Sequence, residues 1–135
     1  MTARRGLGDL FNLATSATTA KTRVNMQNAT GCTFVCIGAT SGAVTINECN
    51  AASGGTEQSL TATGDWWTQA SGVWTKGSGT PTAATGGLLA IYVSSVSMSD
   101  GFSYLDASHS AGSFVYILHG LEVRRDPANL KAVTS

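Results

Sequence analysis

Ser113-Phe114-Val115-Tyr116-Ile117-Leu118-His119-Gly120-Leu121-Glu122-Val123 is the stretch on which the fold turns. It reads with period two: Val115, Ile117, His119, Leu121 and Val123 fall on one side, and Phe114, Tyr116 and Leu118 on the other. β-branched and aromatic residues of this kind suit a pleated, half-buried surface, so the stretch is a strand. Arg124-Arg125-Asp126-Pro127 ends it, because proline has no N–H to give to a ladder.

The same logic runs outward toward the N-terminus. Ser108–Gly112 form a turn before the strand. Phe102-Ser103-Tyr104-Leu105-Asp106 comes after the Asp100-Gly101 turn, with Phe102 and Tyr104 on a shared face, and Leu88–Val93 is another apolar strand. Residues 77–87, rich in Gly, Thr and Ala, read as a flexible low-complexity loop. Trp66-Trp67-Thr68 and Val73–Lys76 flank Gly72 as two arms of a hairpin. Thr33–Ile37 is continuously apolar and reads as buried on both faces. Ala43–Glu48 alternates, with Val44 and Ile46 facing in and Thr45 and Asn47 facing out. Gly38–Gly42 has the length of a hairpin loop joining those two. Short strands separated by turns at spacings of about 8–12 residues predict an all-β fold, an antiparallel β-sandwich or jelly-roll-like body.

The first residues differ. Leu7, Leu10, Phe11 and Ala14 stand at i, i+3, i+4 and i+7, the stripe of a short amphipathic helix. A helix that short is marginal alone and must dock on something. Residues 15–23 read as a Thr/Ser/Ala linker. The organisation expected is an extended arm over 1–23, a β-sandwich body over 24–126 and a tail over 127–135.

Charge divides the chain in the same places. Between Met26 and Glu122 the only cationic side chain is Lys76. Residues 1–25 carry a net +3, residues 26–122 a net −5 and residues 123–135 a net +2. Charged residues are 12% of the total, about half the usual share, and near-neutral surfaces associate. The composition therefore points to a subunit that works against neighbours. No stretch reaches the roughly 18 apolar residues of a membrane span. Met1–Arg5 has the positive start of an export signal, but Asp9 and Asn12 interrupt the apolar residues behind it, so export is not expected. Cys32 and Cys36 would share one face of a strand yet lie too far apart to bridge, and free buried thiols are expected.

The chemistry-bearing residues do not form a recognised constellation. Asp106, Ser108, His109 and Ser110 crowd one turn without the Gly-x-Ser-x-Gly elbow of a nucleophile. His109 and His119 lack metal-ligand spacing, and no Gly pair opens a phosphate loop with a Lys after it. The acidic residues are scattered. No catalytic residue, cofactor or metal site is assigned. Trp67 or Trp74 would stack on a sugar ring if exposed. The basic residues are not interleaved with aromatics, so nucleic acid is not the expected partner.

Three stretches carry a resemblance: Leu7-Gly8-Asp9-Leu10 with its Thr/Ala linker; Cys32–Ile37 with Val44–Leu60; and Gly101–Tyr104, Phe114–Leu121 and Arg124–Leu130. They resemble the small β-rich virion proteins of tailed bacteriophages, of the capsid decoration or minor capsid type. The resemblance implies a protein made in the bacterial host cytoplasm and placed on the outside of the major capsid lattice, often as a trimer. Leu7, Leu10 and Phe11 are then the expected apolar anchors. Arg4, Arg5, Arg124 and Arg125 are the expected charge partners of the major capsid protein. Two alternatives stay open: a carbohydrate-binding module on the virion or tail tip, using Trp67 or Trp74, and a tail-tube or head–tail connector protein, with residues 77–87 as the insertion loop that a tube protein needs.

Overall fold

The computed structural model describes residues 13–17, 22–60 and 65–120. The strands are β1 (Leu13–Ala17), β2 (Val24–Asn25), β3 (Gly31–Ile37), β4 (Gly42–Ala43), β5 (Thr45–Cys49), β6 (Glu57–Ser59), β7 (Asp65–Ala70), β8 (Val73–Lys76), β9 (Thr82–Ala83), β10 (Leu88–Ser94), β11 (Tyr104–Ser108) and β12 (Ser113–His119). A six-stranded sheet in the order β1-β12-β3-β10-β7-β8 faces a four-stranded sheet in the order β2-β11-β5-β6, and β4-β9 is a short ribbon. Every pairing is antiparallel. The fold is an all-β antiparallel sandwich.

The core obeys the period-two pattern. Phe34 lies opposite Ile91 on one side and Tyr116 on the other, and Cys36 opposite Leu89 and Phe114, so the large side chains form rows across the sheet. These residues are at most 1% exposed. The Phe34 ring meets Tyr116 edge-on at 5.2 Å and Phe114 at 6.3 Å, a geometry favoured by the ring quadrupoles. Val24, Ile46, Leu105 and Ala107 of the four-stranded sheet complete the same cluster. Cys32, Cys36 and Cys49 are buried, free thiols.

Several elements differ from the sequence-based expectation. Thr33–Ile37 and Ala43–Glu48 do not form a hairpin: β3 lies in the six-stranded sheet and β5 in the four-stranded one, so residues 38–44 carry the chain from layer to layer. Val44 marks the crossing, being 2% exposed with its N–H donated to the Pro81 carbonyl at 2.8 Å. Nor is β3 buried on both faces, because Ile37 is 46% exposed. Asn47 does turn to the outward side, but it is buried there, with its amide satisfied by the Asp106 carboxylate. Leu13–Ala17, expected to belong to the arm, forms edge strand β1 along β12. A run of small residues adds to an edge through backbone hydrogen bonds, which the side-chain pattern does not announce. The expected helix over residues 6–14 otherwise lies outside the described residues, as does the tail.

The β7–β8 hairpin closes through Ser71 and Gly72, both at positive φ, the primed two-residue turn that matches strand twist. Residues 77–87 are not a free loop. Trp66 donates its Nε1–H to the Gly79 carbonyl at 3.0 Å, and its ring occupies the space where a Cβ on Gly77 would stand. The β4–β9 ribbon and the Ser41 N–H to Thr85 Oγ1 bond of 3.1 Å fasten the remainder.

Candidate functional site

The two sheets turn opposite chemistry outward. On the six-stranded sheet the register aligns Val115, Val35, Ala90, Trp67 and Lys76 in one row across β12, β3, β10, β7 and β8. A parallel row holds Ile117, Thr33, Tyr92 and Asp65. These side chains keep part of their surface in water, apart from Lys76, which is exposed. β12, β3 and β10 place no carboxylate, Lys or Arg on this face. Asp65 and Lys76, at the far edge, pair with each other at 3.3 Å. The Tyr92 ring lies down over Gly31, where no Cβ stands in its way, and sits 5.8 Å from the His119 ring. His119 Nε2 and Thr33 Oγ1 are 2.6 Å apart.

Trp67 and Trp74 share this face, since Trp67 lies opposite Lys76 and Trp74 opposite Gln69. Trp67 is half-buried under Lys76, whose Nζ is 5.8 Å from its ring centroid. Trp74 is 48% exposed on edge strand β8.

Arg4, Arg5, Leu7, Leu10, Phe11, Arg124 and Arg125 lie outside the described residues. β1 runs antiparallel to β12 with Leu13 opposite Ile117, so the chain enters the sheet at the corner by which it leaves after His119. Partners in such a pair are about 5 Å apart. Leu13 and His119, the described residues at which the chain enters β1 and leaves β12, therefore lie at one corner. Arg23 is engaged elsewhere: it donates to the Ala51 and Gly54 carbonyls at 2.8 and 2.7 Å and pairs with Glu57 at 3.4 Å.

The outward side of the four-stranded sheet is polar and closed. Asn47 lies opposite Asp106, and its Nδ2 donates to Asp106 Oδ1 at 3.0 Å. The Cys49 thiol donates to Asp106 Oδ2 at 3.4 Å. Buried polar groups are tolerated where a partner of this kind satisfies them. Burial, and then the charge of Asp106, push the Cys49 thiol up to about 12. Ligand atoms of Cys49, Glu57 and Asp106 lie within 4.8 Å of one another, a grouping that their distance in sequence conceals. A metal would have to take the proton from that thiol and displace Arg23 from Glu57. The donors are arranged as a hydrogen-bonded network rather than as a ligand set.

On the other side of β5, Glu48 is 1% exposed. It accepts from Gln58 Nε2 at 2.6 Å and from the Ser99 N–H at 2.8 Å. Burial acts to raise its pKa, but the Ser99 hydroxyl, the Gln58 amide and the Ser99 N–H outweigh that and hold it below its ordinary value. This buried carboxylate ties the connection after β10 to the four-stranded sheet.

Asp106 and Ser108 lie in strand β11 rather than in the expected turn, and with His109 and Ser110 they are not assembled for nucleophilic chemistry. His109 is buried with Nδ1 at 3.0 Å from the Ala43 carbonyl and Nε2 at 2.8 Å from the Thr40 carbonyl. Both ring nitrogens thus serve the crossing between the sheets. Ser110 Oγ lies 3.2 Å from Thr40 Oγ1, and Asp106 belongs to the network on Asn47 and Cys49.

No helix among the described residues is long and apolar enough to cross a membrane. No family model, curated protein or solved structure matches this chain.

Proposed function

We propose that this chain is a non-enzymatic structural subunit of a tailed-phage particle, a decoration or minor capsid protein on the outside of the major capsid lattice. The observation that carries the reading is the common corner from which the two basic flanks depart. Arg5 is eight residues before Leu13 and Arg125 six residues after His119. Extended chain spans about 3.3 Å per residue, so both arginine pairs can reach one acidic patch beside that corner. The body contributes one exposed cation in its middle, Lys76, and that cation is committed to Asp65. Attraction to an acidic capsid surface therefore concentrates at the corner, with Leu7, Leu10 and Phe11 as apolar anchors once the flank lies down.

The test removes residues 1–12, which spares β1, and separately replaces Arg124 and Arg125 by Glu. Each protein is mixed with undecorated shells and the bound copies are counted. Both variants are expected to keep the far-UV spectrum of a β-sandwich and to lose shell binding. Full occupancy by the truncated protein would falsify the proposal.

One observation favours the glycan alternative: Trp67 and Trp74 occupy the same sheet face, beside Gln69. A tryptophan-fluorescence titration with oligosaccharides separates the readings. The tail-tube alternative would require residues 77–87 to leave the body, to which Trp66 and the β4–β9 ribbon fasten them; a head–tail connector role makes no such demand.

A further inference from the structure

We infer that the outer face of the six-stranded sheet is the surface on which one copy of this chain packs against another, face to face, with Val35 near the symmetry axis. Such packing is independent of the particle reading, since it concerns what the body does with itself. Phe34 and Cys36 have no exposure, whereas their neighbours Val35 and Ile37 keep theirs, Ile37 at 46%. A sheet face that leaves Val35, Val115 and Ile117 partly in water and Ile37 exposed is a place for association.

Charge selects the occupant. A partner of different composition is usually chosen by complementary potential, and this face offers none across β12, β3 and β10. Asp65 and Lys76 neutralise each other at its margin. A second copy brings no like charges into opposition, which is the condition for a self-complementary two-fold contact. Relief agrees. The Tyr92 ring is folded down over Gly31 instead of standing up, so the face is low enough for another sheet to approach to about 10 Å. Extent agrees as well. Five strands spaced about 4.8 Å apart and about 20 Å long cover roughly 500 Å² in plane. With side-chain relief, that is of the order of the about 800 Å² that each partner contributes to a standard interface.

The test is sedimentation or light scattering of the full chain, without shells, from micromolar to near-millimolar concentration. The unaltered protein is expected to show at least the dimer mass. Val35→Glu places two carboxylates against each other across the axis and should reduce the mass to that of a single chain, with an unchanged far-UV spectrum. Should Val35→Glu fail to fold, Ile37→Lys, at a more exposed position of the same face, carries the same expectation. A single-chain mass for the unaltered protein at every concentration would sink the inference, as would association that neither substitution weakens. Shell binding by a body shown to be monomeric would leave the particle reading intact and overturn only this one. A dimer that ignores shells would do the reverse.

Discussion

The outward sides of the two sheets are built on opposite plans. The four-stranded sheet turns out Asn47, Asp106, Cys49 and Glu57, then closes over them with its own hydrogen bonds and Arg23. The six-stranded sheet turns out Val35, Ala90, Ile117 and Trp67 and leaves them partly in water. Polar groups can be satisfied within one chain because their partners are few and directional. An apolar face can be satisfied only by area, and the described residues supply none beyond the row neighbours. The contrast locates internal stability on one outward side and the capacity for association on the other.

The largest effect should come from breaking the closed side. Asp106→Ala strands the Asn47 amide and the Cys49 thiol in a buried setting, and about 3 kcal/mol of stability should disappear in urea unfolding. Val35→Ala, on the open side, should cost no more than about 1 kcal/mol in dilute monomer. Equal losses at the two positions would abolish the contrast.

Much of the architecture was readable in advance because strand periodicity is local. Alternation groups Phe114, Tyr116 and Leu118 on one side, which the structure buries, and the β7–β8 turn lies at Gly72 as expected. Strand partners were not readable. Gly38–Gly42 has hairpin length, yet the chain crosses layers there, and what decides the matter is Val44 meeting Pro81, far along the chain. Which side of β3 is covered was also hidden, because Val35 is as apolar as Phe34. The Asn47–Asp106–Cys49 network escaped for a related reason: Asn47 sits at a period-two position that normally faces water, and its partner is 59 residues away. Of the candidate site, the sequence supplied the basic flanks, while their common corner needed the β1–β12 pairing.

A smaller effect sharpens the same comparison through pH. Glu48 has its pKa held below the ordinary value in the folded chain. A depressed carboxylate contributes stability that is fully present above its unfolded pKa and is lost as pH falls through the folded one. Glu48→Gln removes the charge and turns an amide toward the Gln58 and Ser99 donors, so it should lose about 1–2 kcal/mol at neutral pH. The gap from the unaltered protein should narrow as acid protonates Glu48. Urea midpoints measured from neutral to acidic pH check this, and a gap that stays constant would show that the carboxylate's charge is not what the network uses.

The smallest effect belongs at the margin of the open side. Trp74 is 48% exposed on edge strand β8, so Trp74→Ala should change unfolding stability by no more than about 0.5 kcal/mol. Its fluorescence consequence is larger, because it is the most water-exposed of the three tryptophans; Trp66 is 7% exposed and Trp67 half-buried. The remaining emission should shift to shorter wavelength. If Trp74 lies at the periphery of a self-associating face, the variant should keep the oligomer mass of the unaltered protein, since peripheral contacts carry little of the binding energy. If it is half of a sugar platform, the same variant should lose glycan binding while its mass stays fixed. Loss of oligomer mass on removing this one edge residue would move the centre of the contact from Val35 to the β7–β8 hairpin.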